Sequence, residues 1–142
     1  MEFRKATQED LAFVRLNPFE EAIKGYPYMQ IPDENCFVGI FESAIVGIGG
    51  LVKHWDGRAT LWLMLTSECK KHGFYGVIAI EAIRGKMNEL IEKNGIWRAE
   101  AAIRTDFPQA KKMIEYFGFK QGCLARKYFP DKSDAYLYSR VI

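Results

Sequence analysis

Cysteine and histidine are scarce in this 142-residue chain, which excludes the common frameworks built on them. Cys36, Cys69 and Cys123 are odd in number, lie far apart and form no CxxC pair. They therefore indicate neither a disulfide framework nor a zinc site, and His54 and His72 are too few for a metal cluster. We expect such a protein in a reducing cytoplasm.

Long apolar runs and a strong charge of either sign are also missing. The formal net charge of +2 is too small to indicate a nucleic acid or an anionic membrane as a partner. No apolar run approaches membrane-spanning length, and the charged start Met1–Lys5 holds no signal-peptide core. With 49% hydrophobic residues, the chain is expected to form one globular domain over residues 1–142.

Local patterns predict the order β, α, α, β, β, β, α, β, α, β, β. Thr7 and Asp10 have the spacing of a helix capping box, and Asp56-Gly57 is typical of a type I′ hairpin turn. Asp106 is positioned to cap the helix that begins near Pro108. Two last strands, residues 119–128 and 135–141, are expected to form an antiparallel hairpin.

One stretch combines several of these signals. The apolar run Leu61–Thr66 ends in the polar loop Ser67–His72, and a long amphipathic helix follows from Gly73. The first N–H groups of a helix lack partners, and the positive end of its dipole lies there. A strand, a lysine-bearing loop and a helix N-terminus in this order predict an anion site.

The element order and two motifs resemble the GNAT superfamily of N-acetyltransferases across nearly the whole chain. Residues 70–75, Lys-Lys-His-Gly-Phe-Tyr, are similar to the superfamily's pyrophosphate loop, and Ala110 followed by Gly118-Phe119 matches a second motif. Short phrases also resemble a phage-encoded branch. The resemblance implies an α/β fold with a mixed, mostly antiparallel sheet of about seven strands and four flanking helices.

Acetyl-CoA, as a co-substrate, is the ligand that this resemblance implies. The pantetheine arm would pair with the backbone of the fourth strand where it splays from the fifth, and the loop would hold the pyrophosphate. The residues assigned to the cofactor are Met64, Leu65, Thr66, Lys70, Lys71, His72, Gly73 and Asp106. The acceptor would be an amine of a small molecule or a protein, bound by residues 17–34 and the final hairpin.

Two departures from the superfamily pattern favour a different class of function. Tyr75 replaces a small residue that lets phosphate approach the backbone. Ile114 replaces the tyrosine that in the superfamily protonates the departing CoA thiolate. Tyr116 lies on roughly the opposite side of that helix. The alternative to an acetyltransferase is thus a protein of this fold that has lost catalysis and serves in binding or assembly.

The residues available for acid–base chemistry are few. Glu100 is a candidate general base if its side of the strand faces the cleft, and otherwise it is a charge on a solvated strand face. Tyr128 and Cys123, on the final hairpin, are candidates to reach the thiolate or amine, or else core and rim residues. The last strand, rich in Tyr and Val, is compatible with a homodimer.

Overall fold

The computed structural model describes residues 1–26, 35–71 and 73–142, and for residues 73–75 it describes the backbone without the side chains. Within these residues the strands are β1 Glu2–Lys5, β2 Cys36–Phe41, β3 Ala44–Trp55, β4 Arg58–Leu65, β5 Arg98–Arg104, β6 Lys120–Ala125 and β7 Ala135–Val141. The helices are α1 Gln8–Leu16, a 3-10 helix Glu21–Gly25, α2 Glu68–Lys71, α3 Gly73–Lys93 and α4 Pro108–Tyr116.

All seven strands belong to one sheet, in the order β1-β2-β3-β4-β5-β7-β6. Neighbouring strands are antiparallel except β4 and β5, which run parallel. Because β4 and β5 are parallel, their carboxyl ends lie at the same edge of the sheet. The predicted mixed, mostly antiparallel sheet with flanking helices is confirmed.

The sheet carries a hydrophobic core on each face. The larger core joins α3 and α4 to the sheet, and its members include Leu51, Ala59, Met87, Leu90, Ile91, Ile114, Phe117 and Tyr138. The smaller core packs Leu11 and Val14 of α1 against Val38, Ile48 and Met64. The sheet therefore separates the side that carries α3 and α4 from the side that carries α1.

Of the two hairpin turns that flank β3, the one at Asp56-Gly57 differs from the prediction. The hairpin at Asp56-Gly57 is present, but only Gly57 has a positive φ, at 88°, whereas a type I′ turn needs two such residues. Glu42 and Ser43 have φ values of 48° and 68° and make that turn instead. Gly57 is required for space as well, because a Cβ there would lie 2.1 Å from the Trp97 ring.

The final hairpin is antiparallel as predicted, but its first strand is shorter. β6 ends at Ala125 rather than at Tyr128. Lys127 has a φ of 52°, and its N–H donates to the Asp134 carboxylate over 2.9 Å. This local contact turns the chain out of the strand, so Tyr128 lies in the loop between β6 and β7.

Candidate functional site

The sheet splits between β4 and β5. The structure describes every residue of these two strands, and their pairing is confined to Arg58–Arg98, Ala59–Ala99 and Thr60–Glu100. β4 continues to Leu65 and β5 to Arg104 without further pairing. A gap therefore opens toward the carboxyl ends of both strands, as the resemblance implied.

Hydrogen bonds on β3 and β4 fix which backbone groups face this gap. The Thr66 N–H donates to the Val46 carbonyl over 3.0 Å, and the Leu51 N–H donates to Asn35, away from β4. Successive residues of a strand direct their N–H and C=O groups to opposite edges. Thr66 and Met64 therefore face β3, and Leu63 and Leu65 face the gap. The Leu61 N–H belongs to the Thr60–Glu100 pair of the parallel ladder, so only the Leu61 carbonyl faces the gap.

The resemblance had assigned Met64, Leu65 and Thr66 to the cofactor, and only Leu65 presents its backbone to the gap. Thr66 is fully buried, and its hydroxyl donates to the Ile45 carbonyl over 2.7 Å. The register of β3 decides this parity, and the sequence of β4 alone does not reveal it. Leu61 and Leu63 are the gap-facing residues that sequence reasoning missed.

A segment after α1 covers the open edge of β4 at its carboxyl end. The Phe19 N–H donates to the Leu65 carbonyl over 2.8 Å, and the Ser67 N–H donates to Asn17 over 2.9 Å. Pro18 and Thr66 form an isolated antiparallel bridge between these bonds. The free backbone edge of β4 is thereby limited to the stretch around Leu61 and Leu63.

The predicted anion loop begins directly after β4 and contains the short helix α2 where a loop was expected. α3 starts at Gly73, as predicted. Lys71 forms an ion pair with Glu68 at 2.7 Å, whereas the Lys70 ammonium lies 4.7 Å from the centre of the Phe19 ring. His72 and the side chain of Tyr75 lie outside the described residues.

Glu100 lies at the closed end of the gap. Its carboxylate accepts hydrogen bonds from the Arg58 guanidinium and, over 3.2 Å, from Arg98. The Arg58 hydrogen bond is the main cause that lowers the pKa of Glu100. A carboxylate with a lowered pKa and two cationic donors is a weak proton acceptor, so this geometry speaks against the general-base role expected of Glu100.

Arg104, at the open end of β5, joins this end of the strand to two distant segments. Its guanidinium pairs with both Asp106 oxygens at 3.0 Å and with Asp131 at 2.8 Å, and it donates to the Tyr26 hydroxyl over 3.2 Å. The Phe129 ring lies 5.4 Å away. Arg104 is buried, with 9% of its surface exposed. Its partners are up to 78 residues away in sequence, so no local signal announces the cluster.

Asp106 belongs to this cluster and does not cap α4. The N-cap of α4 is Phe107, which makes no side-chain cap hydrogen bond, so the predicted Asp106 cap is wrong. The Arg104 guanidinium satisfies the Asp106 carboxylate instead and lowers its pKa. Burial raises the pKa of Tyr26, which therefore remains a neutral phenol at pH 7.

Tyr128 and Cys123 differ in how they relate to the gap. Tyr128 is half exposed in the loop after β6, and its ring meets the Phe129 ring edge-on at 5.0 Å between centroids. Because Phe129 and Asp131 contact Arg104, this loop lies beside the open end of β5. Cys123 is exposed on the sheet's edge strand.

α4 offers no phenol to the gap. Ile114 is 5% exposed within the larger core. The Tyr116 hydroxyl lies between α3 and α4, where it accepts from Arg84 over 2.9 Å and donates to Glu81. These positions agree with the expectation that neither residue replaces the missing acid.

Among residues 1–26, 35–71 and 73–142, no group of three or more His, Cys, Asp or Glu side chains is arranged to hold a metal ion. None of the helices in that part of the chain is long and apolar enough to cross a membrane.

Comparison with solved structures identifies the fold. Ard1 from Thermoplasma volcanium matches with a TM-score of 0.74 and 18% identity over 99% of this chain and 97% of that one. The ribosomal-protein-S18-alanine N-acetyltransferase of Escherichia coli matches with a TM-score of 0.71 and 18% identity, over 99% and 93%. A mutant of the spermidine N-acetyltransferase SpeG of Vibrio cholerae matches with a TM-score of 0.75 and 14% identity, over 99% and 92%.

These neighbours are GNAT N-acetyltransferases, so the chain has the GNAT fold that its sequence resembles. No protein-family profile matches the sequence, and no curated protein sequence matches it either. At 14 to 18% identity, the likeness establishes the fold and leaves the chemistry to be argued from the site.

Proposed function

We propose that the protein is an acetyl-CoA-dependent N-acetyltransferase that acts on a free amine. The observation that carries this proposal is the split between β4 and β5, where pairing ends at Thr60 and Glu100. Backbone groups of a sheet interior are normally paired, and a split that leaves them free provides a binding edge for an amide-bearing ligand. N-acetyltransferases among the structural neighbours support the same chemistry.

The residues at the gap fit the parts of acetyl-CoA. The Leu61 carbonyl and the N–H and C=O groups of Leu63, which lie beyond the last strand pair, suit the amides of the pantetheine arm. Lys70, Lys71 and the backbone N–H groups near Gly73 suit the pyrophosphate, because a cation and a helix N-terminus both attract phosphate. His72 belongs to the same loop in sequence. Of the original assignments, Leu65 remains beside the gap, while Asp106 is committed to Arg104.

Positioning supplies most of the rate in this proposal. The neutral amine attacks the thioester carbon, the carbonyl oxygen becomes an oxyanion, and the carbon–sulfur bond then breaks. Holding amine and thioester together removes most of the entropic barrier. The gap-facing N–H of Leu63 is suited to donate to the oxyanion. The amine loses its proton to water, since Glu100 is engaged by two arginines.

Tyr128 is our proposed proton donor to the departing thiolate. Its phenol belongs to the loop that Asp131 and Phe129 attach to Arg104, beside the open end of the gap. Tyr26 is nearer to Arg104, but its hydroxyl is held within the Arg104 cluster, whereas Tyr128 is exposed. A donor on this loop would replace the tyrosine that α4 lacks.

A binding protein of the same fold is the second candidate function. The burial of Ile114 in the larger core favours it, because this apolar residue stands where the superfamily has a phenol and has no proton to donate. Such a protein would bind acetyl-CoA or an amine without turning either over.

An assay of acetyl transfer with two amines separates these candidates. Spermidine and a peptide with an N-terminal alanine are incubated with acetyl-CoA and the protein, and free thiol and acetylated product are measured. We expect product with at least one amine. Acetyl-CoA binding without product from any amine tested would favour the second candidate, and a lack of acetyl-CoA binding by calorimetry would refute the acetyltransferase.

A charge reversal provides the matched control for that binding measurement. Lys70→Glu should weaken acetyl-CoA binding roughly tenfold or more, because it removes one phosphate contact and adds a repulsive charge. Lys93→Glu makes the same change in the last turn of α3, about 30 Å from Gly73 along the helix. Its affinity should match the wild type.

A further inference from the structure

Phe19 contacts three parts of the gap at once. Its N–H donates to the Leu65 carbonyl at the end of β4, over 2.8 Å. Its ring stacks on Phe107, just beyond the end of β5, with centroids 5.8 Å apart and planes inclined by 27°. The Lys70 ammonium lies 4.7 Å from the ring centre. The Phe19 ring therefore spans the open end of the gap and carries a cation on it.

The ring is held in place independently of Lys70. Pro18, the preceding residue, is buried and bridges Thr66, and the Phe19 backbone is bonded to β4. Stacking on Phe107 fixes the ring plane from the other side of the gap. Phe19 is thus a fixed platform, and Lys70 is the exposed, flexible partner.

The two lysines of the loop differ in what restrains them. Lys71 is held by the Glu68 carboxylate, which offsets its charge. Lys70 is held by an aromatic ring, which restrains an ammonium without neutralising it. A restrained lysine that keeps its full charge loses less side-chain entropy when an anion arrives.

We propose that Phe19 is a positioning residue that holds the Lys70 ammonium at the open end of the gap, ready for the pyrophosphate of coenzyme A. This inference rests on the proposed function, because it assumes that coenzyme A binds in the gap. Phe19 does not contact the diphosphate itself. It acts by holding the Lys70 ammonium in place.

Calorimetric titration with coenzyme A tests the proposal. Phe19→Leu should weaken binding about 2- to 5-fold, the value of one exposed cation–π contact. Phe19→Tyr keeps an aromatic face and should bind as the wild type does. Phe13→Leu changes an exposed phenylalanine on α1 and serves as the matched control. Phe19→Met, an apolar residue of similar volume, replaces Phe19→Leu if that variant fails to fold.

Two comparisons distinguish positioning from a general structural role. In a Lys70→Met background, Phe19→Leu should have no further effect on coenzyme A affinity. Pantetheine lacks the diphosphate, so its affinity, measured by an NMR titration, should be the same for Phe19→Leu and the wild type. An equal loss for both ligands, or a loss that persists without Lys70, would overturn the proposal.

The outcome also separates this inference from the proposed function. If the wild type fails to bind coenzyme A, both are refuted. If the wild type binds it and Phe19→Leu binds equally well, only the positioning role of Phe19 is refuted.

Discussion

Thr60 and Glu100 form the last pair that joins β4 to β5, and the sheet opens directly beyond them. The same Glu100 carboxylate binds Arg58, which lies two residues before Thr60 on β4, and Arg98 on its own strand. The ion pair thus crosses the two strands at the point where their backbone pairing stops. We infer that this ion pair stabilises the contact between β4 and β5 at the closed end of the gap.

Glu100→Gln tests this interpretation against general-base catalysis. Loss of a general base should lower the acetylation rate about 100-fold or more, whereas loss of a structural ion pair should change this rate less than about tenfold. The free energy of unfolding should fall by roughly 1 kcal/mol, because the pair is partly exposed to solvent. Rates come from the transfer assay and stability from urea unfolding, with the exposed Glu89→Gln as the control. A 100-fold loss of rate would restore Glu100 as the base.

Tyr128→Phe tests the proposed proton donor. Removal of a general acid should lower turnover by roughly 100-fold while acetyl-CoA affinity stays unchanged. Tyr116→Phe is the matched control, since its hydroxyl binds Arg84 and Glu81 on the outside of α3 and α4. Its turnover should stay within about twofold of the wild type. Equal rates for Tyr128→Phe and the wild type would exclude Tyr128 as the acid.

Asp10, in the capping box of α1, should add an acid-sensitive term to the free energy of unfolding. A hydrogen bond from Arg4 is the main cause that lowers the pKa of Asp10 to about 2, and the Thr7 N–H and hydroxyl add to it. A lowered folded-state pKa stabilises the protein above the unfolded value near 3.8, and this contribution is lost as the pH falls toward 2.

Unfolding curves between pH 5 and pH 2 should reveal that term. The wild type should lose about 2 kcal/mol more than Asp10→Asn over this interval. Glu9→Gln, which removes an exposed carboxylate from the same turn and leaves the Arg4 pair intact, should retain the full acid transition. Parallel curves for Asp10→Asn and the wild type would contradict the assignment.

Alanine substitutions at three glycines distinguish the cost of a strained backbone from the cost of a steric clash. Gly57 has a φ of 88° and a ring 2.1 Å from a built Cβ, Gly95 has a φ of 61° with open space, and Gly85 is helical with open space. Gly95→Ala should cost about 1 kcal/mol, and Gly57→Ala roughly 1–3 kcal/mol more, because the Trp97 ring must move. Gly85→Ala should stabilise the protein by about 0.5–1 kcal/mol. An equal loss of unfolding free energy for Gly57→Ala and Gly95→Ala would show that the Trp97 ring moves aside without cost.

What the sequence predicts well in this chain depends on contacts between near neighbours. Thr7 and Asp10 are three residues apart, and their reciprocal hydrogen bonds form the expected capping box. The start of α3 at Gly73 follows from the change of pattern after β4. Such signals are enough to fix the element order and, through it, the fold.

The details of the site depend on distant pairings that have no local signature. Phe19 meets Leu65 and Lys70, which lie about fifty residues further along the chain, and Arg104 meets Tyr26 and Asp131. Which backbone groups of β4 face the gap is set by the register with β3 and not by β4 itself. A one-residue change in that register would exchange the two edges.

Amide hydrogen exchange at single residues, read by NMR, tests the central claim that acetyl-CoA binds along the gap-facing edge of β4. In the free protein, Leu63 should exchange faster than Trp62, Met64 and Thr66, whose N–H groups face β3. Saturating acetyl-CoA should slow exchange at Leu63 and leave the other three nearly unchanged. Unaltered exchange at Leu63 in the presence of bound acetyl-CoA would contradict the account.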